Sequence, residues 1–399
     1  MKPIEIKKGV WLLPVIDWNI RDFHGYSVYN GTTYNAYLTV GEKITLFDTC
    51  KKEFSDELIS LIKQTIGESK IDYIVLNHAE PDHSGSLKLI CDHFSPEKIF
   101  CSQICKTAII DHYHETDLPF VTFKDGDEVN IGGRTVHFME TKMLHWPDSC
   151  FSYLKEDKIL ISSDAFGHHW ATAERFDDEV DYSVLMKHSA KYYANILMPY
   201  SPLVRKLLAK VEDMGLDIDV IAPDHGVVWR KYIKDILTSY KNWSEYKLSD
   251  KAIVVYDTMW KSTEKMAVNI LGGLKAEGLK TELLNLRFNH RSDVMTEILD
   301  SSVVVFGSPT LNNGILPKVS DMLCYMRGLK PMGGRIGGAF GSYGWSGEAV
   351  TEIKDYMVKA GFEMPLEALK VKYVPAENIL NKCFEFGREL AVSALKVTV

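Results

Sequence analysis

Short apolar runs alternate with turn signals through the first part of the chain. Runs at 10–13, 34–38 and 44–47 predict strands, the last two joined through 40–43 as a hairpin, and apolar residues at helical spacing over 53–66 predict a helix. The same patterns predict further strands at 73–76, near 129, and at 135–138, 151–154, 159–162 and 218–221, with helices from about 86 and over 104–114, 181–214 and 232–243. Enough strands for two sheets, with helices outside them, indicate an αβ/βα sandwich covered on both faces rather than a simple Rossmann sheet.

A short polar stretch at 247–251 precedes a fresh apolar strand, and we place a domain boundary there, giving domains 1–249 and 250–399. Beyond it strands and helices alternate regularly. Strands are expected at 252–256, 281–285, 302–306 and 335–340, and helices at 263–277, 293–299, 318–326 and 346–360. This order predicts a small, doubly wound domain with a parallel sheet, so the fold class is α/β throughout.

The composition agrees with a two-domain globular protein and limits the kinds of partner that the protein can bind. A chain of 399 residues with 46% hydrophobic and 25% charged residues is typical of a two-domain globular protein. The net charge of −8 leaves no basic stripe to neutralise phosphates, which disfavours nucleic acid as a partner. Charges occupy the N-terminal segment and no apolar run approaches a membrane span, so we expect a cytoplasmic protein. Seven cysteines without a C-x-x-C pair predict buried free thiols rather than a disulfide framework.

Candidate chemistry is densest directly after the predicted strand at 73–76. His78, Glu80, Asp82 and His83 follow as H-x-E-x-D-H, on a turn at the C-terminal end of a strand, where α/β sheets place their chemistry. Four ligating side chains in six residues could hold two metal ions. The alternative is an ordinary polar loop in which Asp82 or Ser84 caps the next helix.

Three further ligand candidates, His145, Asp164 and His225, each lie at the end of a predicted strand or in the loop after one. A single histidine in such a place is more often packed or solvated than metal-bound. Taken together and in this order, the residues resemble the five-motif metal site of the metallo-β-lactamase fold over about the first 250 residues.

Glu80 is the departure that decides between metals. Hydrolases of that fold usually carry H-x-H-x-D-H, whereas this chain has a carboxylate at the third position. A carboxylate adds negative charge and a harder oxygen donor, which suits the higher oxidation states of iron. Four imidazoles and three carboxylates therefore favour two irons over two zincs.

Three loops of the second domain predict a flavin site. The first is a hydroxyl-rich loop at the start of a helix, a setting that binds phosphate, and it lacks the P-loop pattern. The other two pair small residues with hydrogen-bonding groups, and the three together resemble the FMN loops of flavodoxin, although each alone could be a structural turn. The candidate residues are Thr258, Met259, Trp260, Lys261, Ser262 and Thr263, then Ser308, Pro309, Thr310, Leu311, Asn312 and Asn313, and finally Ser342, Tyr343, Gly344 and Trp345.

The fused pair of domains resembles the flavodiiron protein family over essentially the whole chain. The resemblance implies that His78, Glu80 and His145 hold one iron and Asp82, His83 and His225 the other, with Asp164 as the bridge. The resemblance does not decide whether His83 binds iron, because in some family members the histidine that matches His83 turns away from the metal.

The resemblance also implies an activity: reduction of dioxygen to water, of nitric oxide to nitrous oxide, or both, with electrons relayed through FMN. The sequence leaves the choice of gas open. His24, Tyr192 and Tyr193 match regions of the family's substrate pocket, which makes them candidate donors to the bound gas, or else ordinary loop and core residues.

Partners follow from the same resemblance. Family members form a head-to-tail homodimer, or a dimer of such dimers, that brings the flavin of one subunit beside the metals of the other. Trp146 and Trp345 are candidates for packing at that junction. The chain ends at 395–399, soon after the flavodoxin-like domain, so we expect a separate electron donor such as rubredoxin.

Two alternatives compete with this prediction. One is a dizinc hydrolase of the thioesterase or glyoxalase type with an attached flavin domain, which Glu80 disfavours. The other is a non-enzymatic, flavodoxin-type electron carrier with a vestigial metal site. All seven ligand positions hold competent residues, which disfavours the second alternative.

Overall fold

A computed structural model describes residues 1–397, with side chains as far as Leu395. Residues 398 and 399, on which the expectation about the chain end partly rests, lie outside the described residues. The chain divides into two compact units: residues 1–24, 28–192 and 202–239 form the first, and residues 25–27, 193–201 and 240 onward form the second. The domain boundary after residue 249 remains a prediction. Within the described part of the chain, no helix has the length and apolar character that crossing a membrane requires.

The strands before residue 130 are β1 (Ile4–Lys7), β2 (Val10–Asp17), β3 (Asp22–Phe23), β4 (Tyr26–Ser27), β5 (Thr32–Val40), β6 (Ile44–Phe47), β7 (Tyr73–Leu76), β8 (Lys98–Ser102), β9 (Phe120–Phe123) and β10 (Glu128–Asn130). Seven of them form one sheet in the order β1-β2-β5-β6-β7-β8-β9. Pairing is antiparallel from β1 to β6 and parallel from β6 to β9. The predicted strands of this region are present, whereas β1, β3, β4, β8 and β9 were not predicted.

A second sheet continues with β11 (Thr135–Glu140), β12 (Cys150–Leu154), β13 (Ile159–Ser163) and β14 (Val220–Pro223). Its order is β10-β11-β12-β13-β14, antiparallel except for the last pair. The helices of this half of the chain are α1 (Ser55–Ile66), α2 (Pro81–Ser84), α3 (Leu87–Phe94), α4 (Gln103–Tyr113), α5 (Tyr182–Tyr192), α6 (Ser201–Asp213) and α7 (Ile233–Ser244).

Two apolar cores explain the layered arrangement. Tyr37 and Phe47 from the first sheet and Phe138 and Ile161 from the second belong to one buried cluster, so the sheets face each other. On the other side of the first sheet, α1, α3 and α4 contribute residues such as Leu58 to a second cluster. Strands of the first sheet are therefore buried on both faces, and the predicted αβ/βα sandwich is confirmed.

The helix predicted over 181–214 is not continuous. A π-helical turn at Tyr193–Leu197 and a 3₁₀ turn at Met198–Tyr200 separate α5 from α6. Pro199 contributes to the break, because proline has no backbone N–H with which to continue the α-helical hydrogen bonds.

The second unit contains β15 (Ser249–Tyr256), β16 (Lys280–Asn285), β17 (Ser301–Gly307), β18 (Thr310–Leu311), β19 (Gly314–Ile315), β20 (Ile336–Tyr343) and β21 (Leu369–Lys372), with α8 (Ser262–Ala276), α9 (Arg291–Ile298), α10 (Pro317–Leu329), α11 (Glu348–Lys359) and α12 (Glu377–Val397). Its main sheet has the order β16-β15-β17-β20-β21, and every pair is parallel. This is the doubly wound flavodoxin order. The prediction omitted the short strands β18 and β19, and also β21 and α12, which complete the unit.

Candidate metal centre and flavin pocket

The segment after β7 is a fixed turn rather than a free loop. The backbone N–H and side-chain amide of Asn77 donate to the two oxygens of Asp48 at 2.7 and 2.6 Å, and Asn77 Oδ1 accepts from Ser152 Oγ at 2.6 Å. Ser84 Oγ donates back to Ala79 O at 2.7 Å, so this hydroxyl closes the turn instead of capping the next helix. The turn therefore presents its ligating side chains in a defined arrangement.

All seven predicted metal ligands come together, in two groups. The first group is His78, Glu80, His145 and Asp164, and the second is Asp82, His83 and His225. In each group one ligating atom per residue lies within 4.8 Å of the others. All are buried except His145, which is partly exposed.

Asp164 lies between the two groups and faces both. Its Oδ2 is 3.4 Å from His78 Nε2 and 3.3 Å from His145 Nε2. Its Oδ1 is 3.3 Å from His83 Nε2 and 3.2 Å from His225 Nε2. A carboxylate that offers one oxygen to each of two imidazole pairs has the geometry of a bridging ligand.

The donor set fits metal ions. Both carboxylate oxygens of Asp82, Nε2 of His83 and Oδ2 of Asp164 are buried and form no hydrogen bond within the described residues. Buried polar groups without partners cost free energy, and a cation among them removes that cost. Two separate groups with a shared carboxylate accommodate two ions.

Polar contacts behind three imidazoles orient their Nε2 atoms toward the centre. His78 Nδ1 lies 3.3 Å from Asp148 Oδ2, and His83 Nδ1 lies 3.1 Å from Asp224 Oδ2. His225 Nδ1 donates to the carbonyl oxygen of Thr33 at 2.6 Å. Partners of this kind fix the orientation of metal-binding histidines. His83, the ligand that the resemblance left open, is turned toward the centre.

The charges of the site also favour cations. Burial opposes the charged imidazole of His78, but hydrogen bonds to Asp148 and Glu80 outweigh burial and raise its pKa to about 9. Burial also opposes the charged imidazole of His145, but Asp164 and Glu80 outweigh burial and raise its pKa to about 10. The carboxylates hold a strongly negative region that stabilises positive charge, whether carried by protons or by metal ions.

The three residues proposed to donate to the gas do not share one setting. His24 Nε2 lies 3.3 Å from Glu80 Oε1, with 75% of the side chain exposed, and the Tyr192 hydroxyl donates to Asp164 Oδ1 at 2.9 Å. Tyr193 lies in the second unit, where its hydroxyl is 2.9 Å from Ser201 Oγ and its ring packs against Tyr240. Tyr193 is therefore a core residue, and the geometry does not support it as a donor.

Sequence reasoning missed His169 at the metal centre. Its ring centroid is 4.8 Å from that of His225 and 5.0 Å from that of Tyr192, and its Nδ1 lies 2.8 Å from Thr32 Oγ1. Burial lowers its pKa well below the ordinary value, so the imidazole is neutral. The available signal was the adjacent pair His168–His169, soon after the motif that contains Asp164.

The second unit contains a cavity of about 630 Å³ at the carboxyl ends of its strands. Its lining residues that were predicted are Met259, Trp260, Ser262, Pro309, Thr310, Asn312, Asn313, Ser342, Tyr343, Gly344 and Trp345, and those that were not are Ser346, Tyr373 and Val374. Tyr373 and Val374 follow β21, the strand that the apolar pattern did not reveal. All three predicted loops therefore contribute to one cavity.

The predicted residues outside this lining support it. Thr263 Oγ1 lies 3.0 Å from Ser342 Oγ and joins the first loop to the third. Ser308 Oγ accepts from the backbone N–H of Leu316 at 3.0 Å. Lys261, with a φ of 64°, turns the chain into α8, while Leu311 belongs to the small strand β18.

The cavity fits a phosphorylated flavin. The hydroxyls of Thr258 and Thr310 are buried without a hydrogen-bond partner in the described structure. The N-terminus of α8 adds backbone N–H groups that attract phosphate. Trp260 and Trp345, 91% and 86% exposed, supply flat apolar surfaces at the rim that suit an aromatic ring system.

Comparisons with known proteins agree with both halves of this description. Residues 32–226 match the family described as ODP family beta lactamase, and residues 254–387 match the flavodoxin family.

Full-length relatives were also found. A nitric oxide reductase of Moorella thermoacetica is 43% identical over 98% of each chain, and a rubredoxin-oxygen oxidoreductase of Megalodesulfovibrio gigas is 44% identical over 94% of each. The crystal structure of the flavodiiron protein from Giardia intestinalis is similar with a TM-score of 0.96 and 35% identity, covering 99% of this chain and 97% of that one.

Proposed function

Because this chain belongs to the flavodiiron protein family, we propose that it reduces dioxygen to water, nitric oxide to nitrous oxide, or both, at two irons supplied with electrons through FMN. It is an oxidoreductase, as the names of its relatives indicate. Those names include a nitric oxide reductase and a rubredoxin-oxygen oxidoreductase, so they support either gas as substrate.

The position of Asp164 carries this proposal. With one oxygen 3.3 Å from His145 Nε2 and the other 3.2 Å from His225 Nε2, it joins the two ligand groups into a single centre. His78, Glu80 and His145 would hold one iron, and Asp82, His83 and His225 the other. When bound, the irons supply gas binding and electron transfer, which the side chains alone cannot provide.

Glu80 supports iron rather than zinc. It lies 3.1 Å from His145 Nε2 and 3.3 Å from His78 Nε2, inside the first ligand group. A carboxylate there offsets more positive charge than an imidazole would, which stabilises oxidised iron.

Two side chains are placed to serve the reacting gas. The Tyr192 hydroxyl, 2.9 Å from Asp164 Oδ1, presents an O–H group at the bridging carboxylate. His24 is mostly exposed and contacts Glu80, so its imidazole lies between solvent and the centre. We propose these two as donors.

FMN would occupy the cavity of the second unit, with the phosphate at the hydroxyls of the loop before α8 and the ring beside Tyr343 and Trp345. We further propose that rubredoxin or a similar small carrier delivers the electrons, as in the relative named rubredoxin-oxygen oxidoreductase. A head-to-tail homodimer would bring the flavin of one subunit to the metals of the other, and the exposed rings of Trp260 and Trp345 support such packing.

Metal and flavin analysis of protein purified from iron-replete cells tests this assignment. We expect two irons and one FMN per chain and no thioester hydrolysis. Two zincs per chain, with hydrolysis of thioesters, would instead support the dizinc hydrolase.

A further inference from the structure

Strand β5 carries three polar side chains at alternate positions, Thr33, Asn35 and Tyr37, and all three are buried. Alternate residues of a strand point to the same face. On that face they bond to the loop formed by residues 223–226, which contains His225. We call Thr33, Asn35 and Tyr37 the β5 clamp.

Asn35 is at the centre of the clamp. Its side-chain amide donates to Pro223 O and Gly226 O, both at 2.9 Å, and its backbone N–H donates to Asp224 O at 2.7 Å. The Tyr37 hydroxyl donates to the same Pro223 oxygen at 2.7 Å. One strand thereby fixes both ends of the loop.

Thr33 forms hydrogen bonds with His225 and Gly226 of the loop. Its hydroxyl accepts from the Gly226 N–H at 2.7 Å, and its carbonyl oxygen accepts from His225 Nδ1 at 2.6 Å. A carbonyl can only accept, so Nδ1 must carry the proton, and Nε2 is left to bind metal. Gly226, with a φ of 84°, lacks the Cβ that would collide with the His168 ring, so this tight arrangement is possible.

The clamp also reaches the other histidine of the second ligand group. The backbone of Asp224 is held by Asn35, and Asp224 Oδ2 lies 3.1 Å from His83 Nδ1. His83 and His225 therefore both depend on β5 for their orientation.

The first ligand group is fixed by different residues. His78 Nδ1 is hydrogen-bonded to Asp148, whose carboxylate also accepts from the Ala79 N–H at 2.6 Å. Among the described residues, no hydrogen bond joins the clamp to His78, Glu80 or His145.

We propose that the β5 clamp is a positioning device for the second metal, with Asn35 as its central residue. It governs how fully a metal ion occupies the site formed by Asp82, His83 and His225. The first metal position does not depend on the clamp. This inference rests on the proposed function only in taking the ligand cluster as a dinuclear centre.

The test is the Asn35→Asp variant of the full-length protein, which keeps the side-chain volume but points a carboxylate oxygen at two carbonyl oxygens. We expect iron to fall from two to one per chain, FMN to stay at one per chain, and the ⁵⁷Fe Mössbauer spectrum to lose the signal of one iron selectively. Thr39→Val is the matched control, because Thr39 is the next buried residue on this face and its hydroxyl bonds to Thr45 O instead of the loop. The control should retain both irons.

Tyr37→Phe provides a milder variant in case Asn35→Asp does not fold. It removes one hydrogen bond, and we expect the second iron to be lost to a chelator about fivefold faster, with no change for the first. Two irons with the wild-type spectrum and wild-type release rates in the variants would overturn the proposal, as would equal loss of both irons. If the wild-type protein binds zinc, the proposed function fails, and the same variants test the clamp through zinc stoichiometry.

Discussion

At the scale of single residues, the chemistry depends on which donor atoms enter the ligand groups. Glu80 adds a carboxylate 3.1 Å from His145 Nε2, where an imidazole would make the pocket richer in nitrogen. Asp164 connects the two groups, and Tyr192 bonds to Asp164. The contacts of Glu80 and Tyr192 each lead to a prediction.

Replacing Glu80 with histidine should shift the centre toward zinc. The substitution removes one negative charge and a hard oxygen donor, which weakens the preference for oxidised iron. We expect higher zinc content by elemental analysis and loss of gas reduction, with FMN content unchanged. Unchanged reductase activity in Glu80→His would count against Glu80 as the deciding ligand.

Tyr192 and Tyr193 are neighbours in sequence, but their hydroxyls contact different residues, Asp164 and Ser201, which makes them a matched pair. Tyr192→Phe removes the hydroxyl at Asp164, and we expect gas turnover to fall about a hundredfold with both irons retained, a size at the lower end of the usual range for a positioned proton donor. Tyr193→Phe should leave turnover unchanged and destabilise the protein by about 1 kcal/mol through loss of a buried hydrogen bond. Equal turnover in both variants, measured by gas electrode, would contradict the role of Tyr192.

At the scale of elements, Arg335 shows how a buried charge completes the second unit. Its guanidinium donates to the carbonyls of Ile298, Leu299 and Pro331 at 3.2, 2.7 and 2.9 Å, and so satisfies carbonyls at the end of α9. We expect Arg335→Met to destabilise this unit by about 3 kcal/mol, because the carbonyls lose their partners inside the protein.

Denaturant unfolding followed by FMN release measures this effect. Arg388→Met, at a partly exposed ion pair with Glu277, is the control and should show a loss below about 1 kcal/mol. A stable Arg335→Met protein would show that the carbonyls find other partners.

Sequence patterns predicted most elements because both sheets follow simple rules of burial. Runs such as 73–76, buried on nearly every residue, stood out as strands. By contrast, β21 has one buried residue, Val371, and its alternation of apolar and charged residues spans only four positions, which is too short to distinguish a strand. Missing β21 also meant missing Tyr373 in the flavin cavity.

The metal ligands could be predicted because they are ligating residue types at characteristic spacings. The residues that orient these ligands could not be predicted, because they contact segments that are distant in the sequence. The Asn35 side chain bonds to Pro223, 188 residues away, and nothing in the sequence near Asn35 indicates that partner. The separation of Tyr192 from Tyr193 likewise follows from the π-helical turn that begins at Tyr193.

At the scale of the whole molecule, the metal centre and the flavin cavity belong to different compact units, and activity requires electron transfer between two such sites. We predict that the active species is a homodimer. Analytical ultracentrifugation combined with assays at decreasing protein concentration should show specific activity falling as the dimer dissociates. A fully active monomer would contradict the proposed arrangement.

We propose that one chain combines a diiron centre and FMN for the reduction of a gas. Anaerobic stopped-flow spectroscopy tests it most directly: the fully reduced protein is mixed separately with dioxygen and with nitric oxide while flavin absorbance is followed. We predict rapid reoxidation of the flavin by at least one gas, with water or nitrous oxide formed in proportion to the electrons consumed, and loss of that rate in a preparation stripped of iron. Slow reoxidation by both gases, at a rate that does not depend on iron, would contradict the account.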